Sequence, residues 1–228
     1  MNNRSLLLFT VLLSVFALPQ THAATINLQN AGFEIPYLED NMSTFSITGW
    51  NVTNINSSDS GFGTHIENPY FSSFYSNQIE GRNVLTANRG EIVSQSINEL
   101  LESNSTYTLS VNIGSRGYSL DTWNGYRVQL WADETLLAED DTSLVPQERS
   151  FLTSVLMYTS SDSSEGLGGN LEVRLQSYSS VDVVFDNVSL EVTPVPIPAS
   201  IYLFMTGVIG LLFRVRRQKQ ELRYYINY

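Results

Sequence analysis

Between residues 24 and 193 the chain alternates apolar and polar positions with a period of two. Tyr107, Leu109, Val111 and Ile113 are separated by Thr108, Ser110 and Asn112. Tyr126, Val128 and Leu130 are separated by Arg127 and Gln129, and Leu171, Val173 and Leu175 by Glu172, Arg174 and Gln176. Each pattern predicts a half-buried strand with one wet face. Further strands are predicted at residues 25–29, 46–54, 91–97, 135–139, 151–158 and 181–192. Turn residues divide them, most plainly Gly166-Leu167-Gly168-Gly169-Asn170. Residues 98–103 allow one helical turn, but no long 3.6-residue period occurs in this span. Many short strands without βαβ alternation predict an all-β sandwich.

The two ends follow other rules. Arg4, the apolar run 6–18 and the small residues around Ala23 predict a signal peptide over residues 1–23. Near the other end, the run from Ile201 to Phe213 is 13 residues long. That is roughly 20 Å of helix, against the ~20 residues a bilayer core requires. It predicts a hydrophobic membrane helix over 201–213, suited to a transient stop, with a basic cytoplasmic tail over 214–228. The intervening span, 24–193, is long enough for one core of its own.

Charge sharpens the picture. The whole chain carries 23 acidic and 12 basic residues, and 22 of the carboxylates but only six arginines lie between 24 and 193. This span therefore holds about −16 and no lysine. Such a surface excludes nucleic acid and anionic lipid as partners, because both demand cationic neutralisation. With no cysteine, disulfides and thiolate metal sites are excluded as well.

Two resemblances enter on particular residues. The box Val195-Pro196-Ile197-Pro198-Ala199, within residues 194–200, followed by an apolar run and Arg214-Val215-Arg216-Arg217, resembles the C-terminal signal of exosortase-sorted bacterial proteins. It is the Val-Pro-x-Pro-Ala variant of the PEP-CTERM class. Ile197 departs from the usual glutamate, and the chain continues beyond the basic cluster. The resemblance implies processing by an exosortase-like membrane peptidase, with the protein membrane-associated beforehand and at the cell surface or extracellular afterwards. Second, the order Asn30-Ala31-Gly32-Phe33-Glu34, Gly49-Trp50, Gly81-Arg82-Asn83-Val84-Leu85 and Phe185-Asp186-Asn187-Val188 is similar to the galactose-binding-like jelly roll of secreted carbohydrate-binding modules. In those modules a first-strand glutamate and a last-strand acid share a structural calcium, and the matching residues here are Glu34 and Asp186. Asp186 also shares parity with Val184, Val188, Leu190 and Val192, so it falls on a core-facing row where an ionised carboxylate needs a partner. The alternative is a bulge that turns Asp186 outward, or loop amides that hydrogen-bond it.

Aromatic residues supply the candidate ligand site. Tyr118, Asp121, Trp123, Asn124 and Tyr126 gather in or beside the loop at 117–125, where rings could stack on sugar faces and polar groups read hydroxyls. Tyr70, Phe71, Phe74 and Tyr75 form a second aromatic cluster, Trp50 reads as core, and Trp131 is placed on a wet face. Catalytic residues are not marked out. His65 is the single histidine left beyond residue 23, so a nucleophilic triad would depend on it alone, and no pair of carboxylates stands apart as a glycosidase pair. The expectation is thus a non-enzymatic, exported protein that binds polysaccharide. A purely structural matrix component and, less favoured, a glycan hydrolase are the alternatives.

Overall fold

The computed structural model describes residues 22–53, 63–69, 80–88, 90–115, 123, 125–178, 183–196 and 199–226. Twelve strands run in chain order: β1 (Ala24–Ile26), β2 (Ser43–Thr44), β3 (Asn51–Thr53), β4 (His65–Glu67), β5 (Val84–Ala87), β6 (Ile92–Leu100), β7 (Ser105–Ser115), β8 (Tyr126–Ala132), β9 (Thr135–Asp141), β10 (Phe151–Thr159), β11 (Asn170–Ser177) and β12 (Val183–Pro194). They form a β-sandwich. One sheet has the order β10-β7-β12-β5-β4-β2 with β1 also paired to β12, and the other β3-β6-β11-β8-β9. All the strand pairs are antiparallel.

The alternating rows do what their period requires. Leu109, Val111 and Ile113 of β7 meet Val128 and Leu130 of β8 and Val173 and Leu175 of β11 in one core, all at most 1% exposed. Trp50 is buried with them, its ring 5.4 Å from that of Phe33. Trp131 stands half-buried on the outer face of the five-stranded sheet under the Arg174 guanidinium, 4.3 Å from ring centre. Residues 98–100 do not form a helical turn, because β6 extends through Leu100.

Two expectations fail at this level. Val184 and Leu190 do not share a face: Val184 packs with Val84 and Phe151, whereas Val188 and Leu190 enter the main core. A register shift between Asp186 and Ser189 reverses the parity, and Asn187 absorbs it at a φ of 48°, a value Asn tolerates better than most residues. The C-terminal expectation also needs correction. The helix α1 (Ala199–Ile226) does not stop at residue 213 but continues for 28 residues through Arg214, Arg216 and Lys219. Among the described residues no helix is long and apolar enough to cross a membrane. The expected membrane helix, and the membrane-associated localisation built on it, are overturned by that finding; the signal peptide expected over residues 1–23 lies, but for its last two residues, outside the described residues. Ala23–Pro194 forms one compact unit, and Val195–Tyr228 belongs to another.

Candidate active site on the outer face of the seven-stranded sheet

β4 is three residues long, and its middle residue, Ile66, points into the core. Alternation therefore turns His65 and Glu67 to the opposite face of the sheet. The same rule turns Val84 and Thr86 outward from β5, since Leu85 and Ala87 are core, and Val184 outward from β12 between Val183 and Phe185. The registers align these positions. His65 pairs with Thr86, Thr86 with Val184, Val184 with Gly114, and Gly114 with Phe151. One row thus crosses five strands on the face turned away from the sandwich core.

That row is buried all the same. His65 is 6% exposed, Glu67 8%, Thr86 1% and Phe151 5%, and Val84 and Val184 are fully enclosed. Phe151, Val84 and Val184 make a small apolar cluster separate from the core. The Phe151 ring lies directly over Gly114, where a side chain would strike it.

At the other end of the row Thr86 Oγ1 donates to Glu67 Oε1 over 2.9 Å, and His65 Nε2 stands 3.9 Å from Glu67 Oε2. His65 Nδ1 lies 2.7 Å from the Gly63 carbonyl oxygen. A carbonyl can only accept, so Nδ1 carries the proton and Nε2 faces the carboxylate. The Phe45 ring meets the imidazole edge-on at 5.9 Å. The turn before β4 is held by Glu91, whose Oε2 accepts the Thr64 amide at 2.8 Å. His65, Glu67 and Phe151 make further interactions beyond these.

A second acidic pair borders the row. Asp186 follows Phe185 on β12 and is fully enclosed; its Oδ2 accepts the Glu80 amide at 3.0 Å and its Oδ1 the Asn187 amide at 2.7 Å. Glu34 Oε1 accepts the amides of Arg82 and Asn83 at 2.9 and 3.0 Å. Glu34, in the segment after β1, and Asp186, on the last strand, thus grip the same loop, 80–83. Burial pushes the Asp186 carboxyl up to about 7 against the pull of its two amide hydrogen bonds, and the charges of Glu34 and Glu80 add to the rise. No third acidic, histidine or cysteine side chain joins them in a metal-holding group among the described residues. Both parts of the alternative reading of Asp186, bulge and amide hydrogen bonds, are present.

The aromatic candidates fare differently. Tyr118, Asp121 and Asn124 lie outside the described residues, as do Tyr70, Phe71, Phe74 and Tyr75. Trp123 is half-buried against the core, 6.3 Å from the Tyr126 ring. Tyr126 is fully enclosed in the core and donates its hydroxyl to Asp140 at 2.7 Å, so it offers no surface to a sugar. Glu67, Thr86, Val84 and Phe151, which the fold brings onto this row, were not among the sequence candidates. The available signal was His65-Ile66-Glu67, a titratable pair two apart in a strand-forming segment.

The model of one family, HpiC1-like (HpiC1 cyclase), matches residues 24–191, nearly the whole sandwich. The chain belongs to the HpiC1-like cyclase family. A Stig cyclase, FisC from Fischerella sp. TAU, solved in complex with (3Z)-3-(1-methyl-2-pyrrolidinylidene)-3H-indole, is 31% identical over 76% of this chain and 100% of its own, with a TM-score of 0.68. A cyclase from Fischerella sp. TAU solved with 4-(1H-indol-3-yl)butan-2-one is 30% identical over 76% of this chain and 100% of its own, with a TM-score of 0.66. The apo form of a Fischerella sp. cyclase is similar at 30% identity and a TM-score of 0.68, over 77% and 98% of the two chains. No curated protein sequence matches the chain. Membership of the HpiC1-like family overturns the expectation of a non-enzymatic polysaccharide binder.

Proposed function

We propose that this protein is a cyclase acting on an indole-bearing small molecule, that the buried row is its active site, and that Glu67 with His65 is its proton source. One observation carries the reading: a carboxyl and an imidazole are buried side by side outside the core, on a row that ends in an aromatic ring. Three strand spacings, roughly 14 Å, separate the strand of His65 from that of Gly114, where the Phe151 ring lies. Val84 and Val184 lie on the row between them, clustered with the Phe151 ring at its far end.

The chemistry that suits this geometry is an isomerisation begun by acid. Glu67 gives its proton to an unsaturated carbon of the side chain, leaving a cation. The π electrons of the ring attack that carbon, a carbon–carbon bond closes, and the ring then loses a proton that returns to the Glu67 carboxylate. Mass and charge are unchanged overall. Thr86 holds Glu67 in place through Oε1, and His65 Nε2 sets the electrostatics at Oε2. The face of Phe151 stabilises the transient positive charge. Burial keeps out the water that would otherwise capture it.

Glu34 and Asp186 suit a calcium ion, because both are hard oxygen donors and the side-chain oxygen Oδ1 of buried Asn83, whose amide Glu34 accepts, has no hydrogen-bond partner. The ion would neutralise the repulsion between the two carboxylates and tie the segment after β1 to β12.

The test is binding and turnover together. 4-(1H-indol-3-yl)butan-2-one should bind the wild-type chain by calorimetry and bind Phe151→Ala at least tenfold more weakly. An indole carrying an unsaturated side chain should give a product of the same mass and different retention, with one deuterium incorporated in heavy water. Equal turnover by Glu67→Gln would refute the assignment of the acid.

A further inference from the structure

The chemistry assigned to Glu67 and His65 makes no use of Glu91, a carboxylate only 3% exposed. Glu91 directly precedes β6 of the five-stranded sheet, yet its side chain reaches the turn before β4 in the other sheet. Its Oε2 accepts the Thr64 amide at 2.8 Å, and the Asn88 amide donates to Thr64 Oγ1 at 2.9 Å. The turn between β5 and β6 thus holds buried Thr64 by both backbone and side chain. The amide that Glu91 accepts belongs to the same peptide group as the Gly63 carbonyl, which accepts from His65 Nδ1 at 2.7 Å. A trans peptide is planar with its N–H and C=O opposed, so fixing one fixes the other. Gly63 makes this peptide the joint that most needs fixing, because glycine offers little steric resistance to rotation.

We infer that Glu91 is a positioning residue for the proton source: through the Gly63–Thr64 peptide it fixes which nitrogen of His65 carries the proton. The inference rests on the reading of Glu67 as the acid. Thr86 Oγ1 donates to Oε1 of Glu67, so the proton of the acid form sits on Oε2, the oxygen that His65 Nε2 faces at 3.9 Å. With Nδ1 protonated, Nε2 presents a lone pair to that proton. Were the peptide to turn, Nδ1 would lose its acceptor and the ring proton would be free to move to Nε2. An N–H aimed at Oε2 opposes a proton there and favours the carboxylate, the form that has nothing to donate. Glu91 therefore keeps the acid loaded without touching the substrate. Its reach matters more than its charge, because a peptide group stands between its carboxylate and the imidazole.

Two variants of the full chain separate reach from charge. Glu91→Asp keeps the carboxylate but draws it back by one methylene, whereas Glu91→Gln keeps the reach and an acceptor oxygen but loses the charge. The sequence contains two histidines, and His22 is exposed, so nitrogen-15 spectra of labelled imidazoles at about pH 8 read the His65 tautomer against a solvent-facing reference. The wild-type chain should carry the proton on Nδ1. Glu91→Asp should populate the Nε2 tautomer and lower kcat at least tenfold on an indole with an unsaturated side chain, with KM changed less than twofold. Glu91→Gln should restore the Nδ1 tautomer and most of the turnover. A wild-type ring protonated on Nε2 would overturn the inference. So would a Glu91→Asp protein that keeps the Nδ1 tautomer, or a Glu91→Gln protein no better than Glu91→Asp. If even the wild-type chain turns over no such indole, the cyclase reading fails, while the tautomer comparison still decides what Glu91 does to His65.

Discussion

Gly114→Ala probes the row at its tightest point. A methyl group built at Gly114 would stand 2.6, 2.8 and 2.9 Å from three carbons of the Phe151 ring. Ordinary contact begins near 3.4 Å, so the ring must withdraw by about 0.8 Å. Its retreat is opposed by Val84 and Val184, which complete its cluster. The φ of Gly114 is not positive, so alanine meets no backbone strain there, and replacing glycine within a strand ordinarily gains about 0.5–1 kcal/mol. Overpacking costs about 1–3 kcal/mol. The steric term wins, for a net loss of about 0.5–2 kcal/mol. For a sandwich of this size that lowers the melting temperature by roughly 1–8 °C. Thermal unfolding followed by circular dichroism reads the first effect. Calorimetry with 4-(1H-indol-3-yl)butan-2-one reads the second, a weaker affinity as the displaced ring intrudes on the site. Adding Phe151→Leu should restore the melting temperature but not the affinity. A Gly114→Ala protein that melts at or above wild type and binds equally would refute the packing of ring on glycine.

Other outcomes follow from the same geometry. Glu67→Gln preserves the volume and the Thr86 hydrogen bond, so it should fold normally while turnover falls by about 10²–10⁴, the usual worth of a general acid. Calcium should raise the melting temperature of the wild-type chain, and Glu34→Gln should abolish that increment, measured against a chelator control. Burial pushes the Asp140 carboxyl up, but hydrogen bonds from Ser154, Tyr126 and Ser143 outweigh it and hold the group below its ordinary 3.8. A depressed folded value means stability that is present above 3.8 and lost as the pH falls through the folded value. Removing a hydrogen bond with Tyr126→Phe should therefore move the acid-unfolding midpoint to higher pH, as monitored by near-ultraviolet circular dichroism.

Long strands with one wet face could be read directly, as β7, β8 and β11 show. β4 and β5 could not. They are buried on both faces, so their sequences carry no alternation and resemble loop. The same burial is what marks them as the site, and the property that matters most for function hid the strands that bear it. Tyr126 was misassigned for the converse reason. It shared parity with Val128 and Leu130, yet its nearness to a polar loop outweighed that row. Asp186 turned on Asn187, whose left-handed backbone reverses the face of everything after it. The exclusion of catalysis tested His65 for a triad, a criterion for nucleophilic chemistry that a single proton donor need not satisfy. Function itself lay beyond the fold, because sandwiches of this kind host unrelated activities.

Alternation in β4, β5 and the first half of β12 separates inheritance into two channels. Ile66, Leu85, Ala87, Val183 and Phe185 answer to the fold, whereas His65, Glu67, Val84, Thr86 and Val184 answer to the ligand. Substitutions at every second letter of these segments therefore reshape the outer face while the intervening letters keep the main core, at a packing cost confined to the small cluster of Val84, Phe151 and Val184.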